Sequence, residues 1–86
     1  MKVSRARRDR VEGEIIDVLR KRGAYVKKLA QKGVPDLLVW WHDSTHVWLI
    51  ECKTDKGKLR ETQDWAKVGL NVTILRSAEE AMQWNR

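Results

Sequence analysis

The chain has no phenylalanine, one cysteine and one proline. A lone cysteine, Cys52, excludes a disulfide framework within the chain and suggests no zinc cluster. It suits a reducing compartment, so a cytoplasmic location is the expectation. No stretch approaches the roughly 18 consecutive apolar residues of a membrane span, so no membrane partner is expected. Residues 1–10 are basic and lack an apolar h-region, so they do not read as a secretory signal. Repeats, low-complexity segments and flexible linkers are missing too. At 86 residues, the expectation is a single domain over 1–86, with 1–10 as a basic N-terminal arm.

What is present is unevenly distributed. The five tryptophans (Trp40, Trp41, Trp48, Trp65 and Trp84) supply almost all the aromatic surface. Indole rings bring large burial per residue to a small core. Five exceed what one small core is expected to hide, which points some of them toward a subunit interface. Lysine and arginine number 18 against 12 acidic residues, a formal charge of +6. That balance favours an anionic partner, nucleic acid above all, although many basic proteins simply carry a solvated basic face.

Apolar residues at Val11, Ile15, Ile16, Val18 and Leu19 have helical spacing, and Gly23 after Lys21 and Arg22 ends that helix. Residues 25–29 read as a short strand, and Gly33 and Pro35 break the loop that follows. Residues 37–41 and 47–53 are apolar, strand-forming runs that should pair as a hairpin across the HDST turn. Residues 61–68 read as a short helix, 71–75 as a strand, and Ser77 caps a last helix with Glu80 in capping-box position. The order α-β-β-β-α-β-α predicts an α/β domain, a small mixed sheet flanked by helices.

The charges at the ends of the hairpin carry the chemistry. Side chains alternate along a strand, so Glu51 and Lys53 share one face. Trp48, Ile50 and Cys52 share the other, which makes Cys52 a core residue that offers a site its backbone carbonyl. The start of one hairpin strand lies beside the end of the next, so Asp36 should approach Glu51 and Lys53. Two carboxylates held together repel unless a cation lies between them. Mg²⁺ or a similar hard ion resolves this, taking one or two carboxylates with water and substrate phosphate. The lysine beside it would orient or deprotonate the attacking water, or offset charge in the transition state. An isolated E-x-K is more often an exposed ion pair at a strand end; the preceding P-D and the hairpin geometry reverse that reading. On the first helix, Glu12 falls at the edge of the apolar face, Glu14 farther round and Asp17 nearly opposite. Glu12 is therefore the first-helix candidate and Glu14 the second, against the plainer reading of a solvated carboxylate at a helix start.

Asp36 with Glu51-Cys52-Lys53 resembles the PD-(D/E)xK motif of restriction-endonuclease-like nucleases. The segments GVPDLLV, IECK, GKLRETQDW and VTILRS resemble the VRR-NUC branch, the virus-type replication–repair nuclease domain, over most of the chain. The first helix is similar to that of archaeal Holliday-junction resolvases, with Glu12 at the position of their acidic residue. The resemblance implies a Mg²⁺- or Mn²⁺-dependent endodeoxyribonuclease. In it Asp36 and Glu51 would ligate metal, with Glu12 assisting and the Cys52 carbonyl completing the shell. Lys53 would be the catalytic lysine, and Gln63, on the next helix, would contact substrate or that lysine. The stretch 65–71 is short beside the family's usual helix and loop, which bears on the docking of Gln63. The chain resembles small stand-alone phage and bacterial members, which act as homodimers on branched DNA such as four-way junctions. That implies a bacterial host cytoplasm for a phage-encoded copy.

Arg8, Lys32, Lys56, Lys58 and Arg60 are the leading candidates for phosphate contact, with Arg5, Arg7, Arg10, Lys27 and Lys28 beside them. Such contacts hold DNA without reading its sequence, and no recognition helix stands out. His42 and His46 flank a turn and have no third ligand in the sequence, so a zinc site is not expected. The alternative to an enzyme is a non-catalytic DNA-binding module on the same fold, which loss of a site carboxylate would favour; all the carboxylates are present.

Overall fold

The computed structural model describes residues 3–53, 65 and 67–86, with side chains from residue 9 onward. Helix α1 (Val3–Lys21) buries Ile15, Ile16 and Leu19, one stripe of its surface. Its C-terminus is a Schellman motif. The Ala24 amide donates to the Leu19 carbonyl at 3.0 Å, and the Gly23 amide to the Arg20 carbonyl at 3.0 Å. Gly23 supplies the positive φ (93°) that this turn requires. The Trp41 indole donates to the Arg22 carbonyl at 3.0 Å, satisfying another helix-end acceptor.

Four strands form one sheet in the order β1-β2-β3-β4: β1 (Tyr25–Lys28), β2 (Leu37–Trp40), β3 (Val47–Cys52) and β4 (Val72–Leu75). The expected hairpin is present. β2 and β3 are antiparallel, with Leu37 opposite Ile50 and Trp40 opposite Val47. β1 is antiparallel to β2, while β4 is parallel to β3. Each strand is one residue shorter than the sequence predicts.

Helix α2 (Ala78–Gln83) follows Ser77, whose hydroxyl accepts from the Glu80 amide at 3.1 Å. The Glu80 carboxylate accepts from the Arg76 amide at 2.7 Å, one residue earlier than the Ser77 amide used in a regular capping box. The Arg22 guanidinium donates to the Ala81 carbonyl at 2.6 Å and so ties α2 to the end of α1.

The core lies between α1, α2 and one face of the sheet. Leu37, Val39, Ile50, Cys52 and Leu75 meet Ile15, Ile16, Leu19 and Ala81 there. Among the tryptophans, Trp41 and Trp65 are buried, and Trp48 and Trp84 pack partly against the core. Trp40 is half-buried on the other sheet face, its ring stacked on Tyr25 at 5.6 Å. The helix expected over 61–68 lies mostly outside the described residues; Trp65 and Lys67 are helical, and Gly69 follows with φ 85°. No helix among the described residues is long and apolar enough to cross a membrane.

Candidate active site at the end of the hairpin

The site is built where β2 begins and β3 ends. Pro35 is buried, and Asp36 occupies a bend just before β2. The Asp36 carbonyl accepts from the Leu29 amide at 2.9 Å, which fixes its backbone to the end of β1. Its side chain turns across to β3, where Oδ2 accepts from the Cys52 amide at 2.8 Å. The register that sets Leu37 opposite Ile50 brings Asp36, the residue before Leu37, to the end of β3 that carries Glu51 and Cys52. The hairpin thus brings together the residues that the sequence separates.

Glu51 is 1% exposed, and the Lys53 ammonium lies 3.3 Å from its Oε2. These residues are two apart on an extended backbone, so they share a face, as alternation requires. Lys53 lies past the last residue of β3, yet its amide donates to the Leu75 carbonyl at 3.1 Å. That bond extends the β3–β4 pairing and holds the lysine in line with the strand. An ordinary strand-end ion pair is solvated. This one is not, since the Lys53 side chain is only 12% exposed.

Glu12 reaches the same end of the sheet from α1. Ligand atoms of Glu12, Asp36 and Cys52 all lie within 4.8 Å of one another. Glu14 is exposed on the helix, so geometry selects Glu12 of the two first-helix candidates. The Lys28 ammonium lies 3.1 Å from Glu12 Oε1. Cys52 is fully buried, as its alternation predicted. Its amide donates to Asp36 Oδ2, and its thiol lies within 4.8 Å of ligand atoms of Glu12 and Asp36. Sequence reasoning missed the thiol's placement because it depends on α1 lying over this end of β3.

Other expected residues lie apart or outside the described part. Lys32 is exposed in the loop between β1 and β2. The Arg8 side chain, Lys56, Lys58, Arg60 and Gln63 lie outside the described residues. His46 packs its ring 4.3 Å from Trp48, at the opposite end of β3 from Glu51.

A family model of the VRR-NUC domain matches residues 3–68. The chain belongs to the VRR-NUC family. A solved structure described as a VRR-NUC domain is similar over 88% of this chain and 90% of its own, with a TM-score of 0.66 and 28% sequence identity. No curated protein matches significantly. The VRR-NUC match makes this a nuclease-type domain, for which DNA is the substrate class, and it suggests a divalent metal.

The donor set fits such an ion. Glu12 and Asp36 bring two hard carboxylate oxygens together, the number that Mg²⁺ commonly takes from protein. Glu51, on the residue before Cys52, is buried at the same end of β3 but is not part of that cluster. The Cys52 thiol, a softer donor, lies within the same 4.8 Å. The positive charges of Lys28 and Lys53 already sit where carboxylates must be offset.

Proposed function

We propose that the protein is a divalent-metal-dependent DNA endonuclease that hydrolyses phosphodiester bonds. In this reading it uses Mg²⁺ or Mn²⁺, selects branched DNA such as four-way junctions, and acts as a homodimer. The observation that carries the reading is the buried Glu51–Lys53 pair beside Asp36. A soluble domain gains little stability from burying two charges, whereas a nuclease needs a fixed carboxylate and a fixed ammonium next to the scissile phosphate.

Asp36, Glu51 and Glu12 would hold the ion. When bound, a divalent ion there supplies Lewis-acid activation of water and charge stabilisation at phosphorus. Lys53 places its amine beside Glu51 and would offset charge developing on the phosphate oxygens. The Cys52 amide orients Asp36 through its hydrogen bond. Hydrolysis adds water oxygen to phosphorus, breaks one P–O ester bond and leaves the departing oxygen protonated. Lys32, Arg8, Lys56, Lys58 and Arg60 would neutralise flanking phosphates, and Gln63 would contact substrate.

The homodimer is supported by an apolar row on the sheet face away from α1. Tyr25 and Val47 are 52% and 53% exposed, with Trp40 between them across three neighbouring strands. Two sites related by a two-fold axis suit symmetric cutting of a branched substrate. The residue assignments are tested by single-turnover cleavage with Asp36→Asn and Glu51→Gln. Each is expected to lose on the order of 10²-fold or more in rate while remaining folded. Cleavage at the wild-type rate by either variant would remove that residue from the site.

A further inference from the structure

We propose that Lys28 is the resident counter-ion of Glu12 in the metal-free protein, and that it is released to a DNA phosphate when a divalent ion binds. The inference rests on the nuclease reading and assigns a coupling residue to the same site.

Lys28 is the last residue of β1 and pairs with Leu37, so it lies at the end of the sheet that carries Asp36. Val26, two residues earlier, packs against the core beneath α1. Alternation puts Lys28 on the same face, where its ammonium meets Glu12 Oε1 at 3.1 Å. The two partners differ in freedom. The Glu12 side chain is 17% exposed, on a helix whose neighbouring turn is buried, whereas the Lys28 side chain is 59% exposed. The carboxylate stays in place and the lysine can leave.

An ion pair this exposed changes an equilibrium by roughly two- to five-fold. It cannot compete with a divalent ion that engages Glu12 and Asp36 together. A single ammonium offsets one of the two carboxylate charges in that cluster, and a divalent ion offsets both. Once the ion is bound, like charges repel Lys28 from Glu12. Its flexible four-carbon stem then carries the ammonium to the rim of the site, where the substrate phosphate arrives. Binding of the ion and binding of DNA therefore favour each other, and thermodynamic reciprocity makes the coupling equal in both directions.

The test compares the wild type with Lys28→Gln and Lys27→Gln. Lys27 is exposed and pairs with Leu38 on the other sheet face, so its variant removes the same charge without touching Glu12. Calorimetric titration with Mn²⁺ in the absence of DNA should show Lys28→Gln binding about two- to five-fold tighter than the wild type, with Lys27→Gln close to the wild type. Duplex DNA affinity, measured with Ca²⁺ present or absent, should be enhanced less by the ion in Lys28→Gln than in the wild type. Unchanged or weaker Mn²⁺ binding by Lys28→Gln, or an equal gain in Lys27→Gln, overturns the role of Lys28 while leaving the nuclease reading intact. A folded wild type that takes up no Mn²⁺ overturns both.

Discussion

A carboxylate as deeply buried as Glu51 is tolerated only with a cation and hydrogen-bond donors close by, because desolvation outweighs an imperfect pairing. Lys53→Ala removes the ammonium at 3.3 Å. In a metal-chelating buffer it is expected to destabilise the fold by about 1–3 kcal/mol, and adding Glu51→Gln should recover much of that loss. Urea unfolding of the two single variants and the double variant measures the coupling. At the opposite end of the sheet, Asp43 and Arg86 form a bidentate pair at 3.0 and 3.2 Å. The Arg86 hydrogen bond holds the Asp43 carboxyl below its ordinary 3.8. A folded-state pKa below the unfolded one stabilises the protein above the ordinary value, and that stabilisation is lost as pH falls through the lower one. NMR titration of Asp43 should show this depressed midpoint, and Arg86→Ala should return it toward 3.8. At this scale the sequence was informative about Asp36, Glu51 and Lys53, since hairpin pairing and strand alternation are local rules. It was silent on the Glu12–Lys28 contact and the Cys52 thiol. Both depend on where α1 crosses the sheet, which no local pattern encodes.

The elements are held at their ends by features with definite costs. Gly23 has φ 93°, and a methyl group added there would sit 3.7 Å from the Trp41 indole. Space is therefore adequate and conformation is not: Gly23→Ala is expected to cost about 1–2 kcal/mol from left-handed strain. Ser77→Ala removes the acceptor for the Glu80 amide, at about 1 kcal/mol. Thermal melts check both, and neither variant touches the site, so cleavage measured well below the melting temperature should be unchanged. Both helix ends were legible beforehand, because glycine after a basic last turn and serine three residues before glutamate are signatures of backbone hydrogen bonding. The strand ends were less so. The apolar character of residue 41 continues past β2, and Trp41 turns out to seal the end of α1 by donating to the Arg22 carbonyl. A tryptophan's partner across the fold is not written in its neighbours.

For the molecule as a whole, the mixed α/β class and the order of the described elements followed from periodicity and turn residues. The parallel pairing of β4 with β3 did not, because a crossover leaves no local mark. The excess of cations, +6 overall, predicts DNA affinity that falls steeply with salt, since each neutralised phosphate releases counter-ions. Filter binding across a salt series measures the slope. The dimer reading predicts that Val47→Glu, on the exposed apolar row, shifts the sedimenting species toward monomer. The central claim, a metal-dependent nuclease, is tested most directly by incubating the protein with labelled four-way junctions, flaps and plain duplex. Mg²⁺ or Mn²⁺ is present or withheld, and Lys53→Ala runs in parallel. The account predicts cutting that requires the metal, favours a branched substrate and is lost in the variant. Tight DNA binding by the wild type with no cutting under either metal would contradict it, and would leave a DNA-binding module on a nuclease fold.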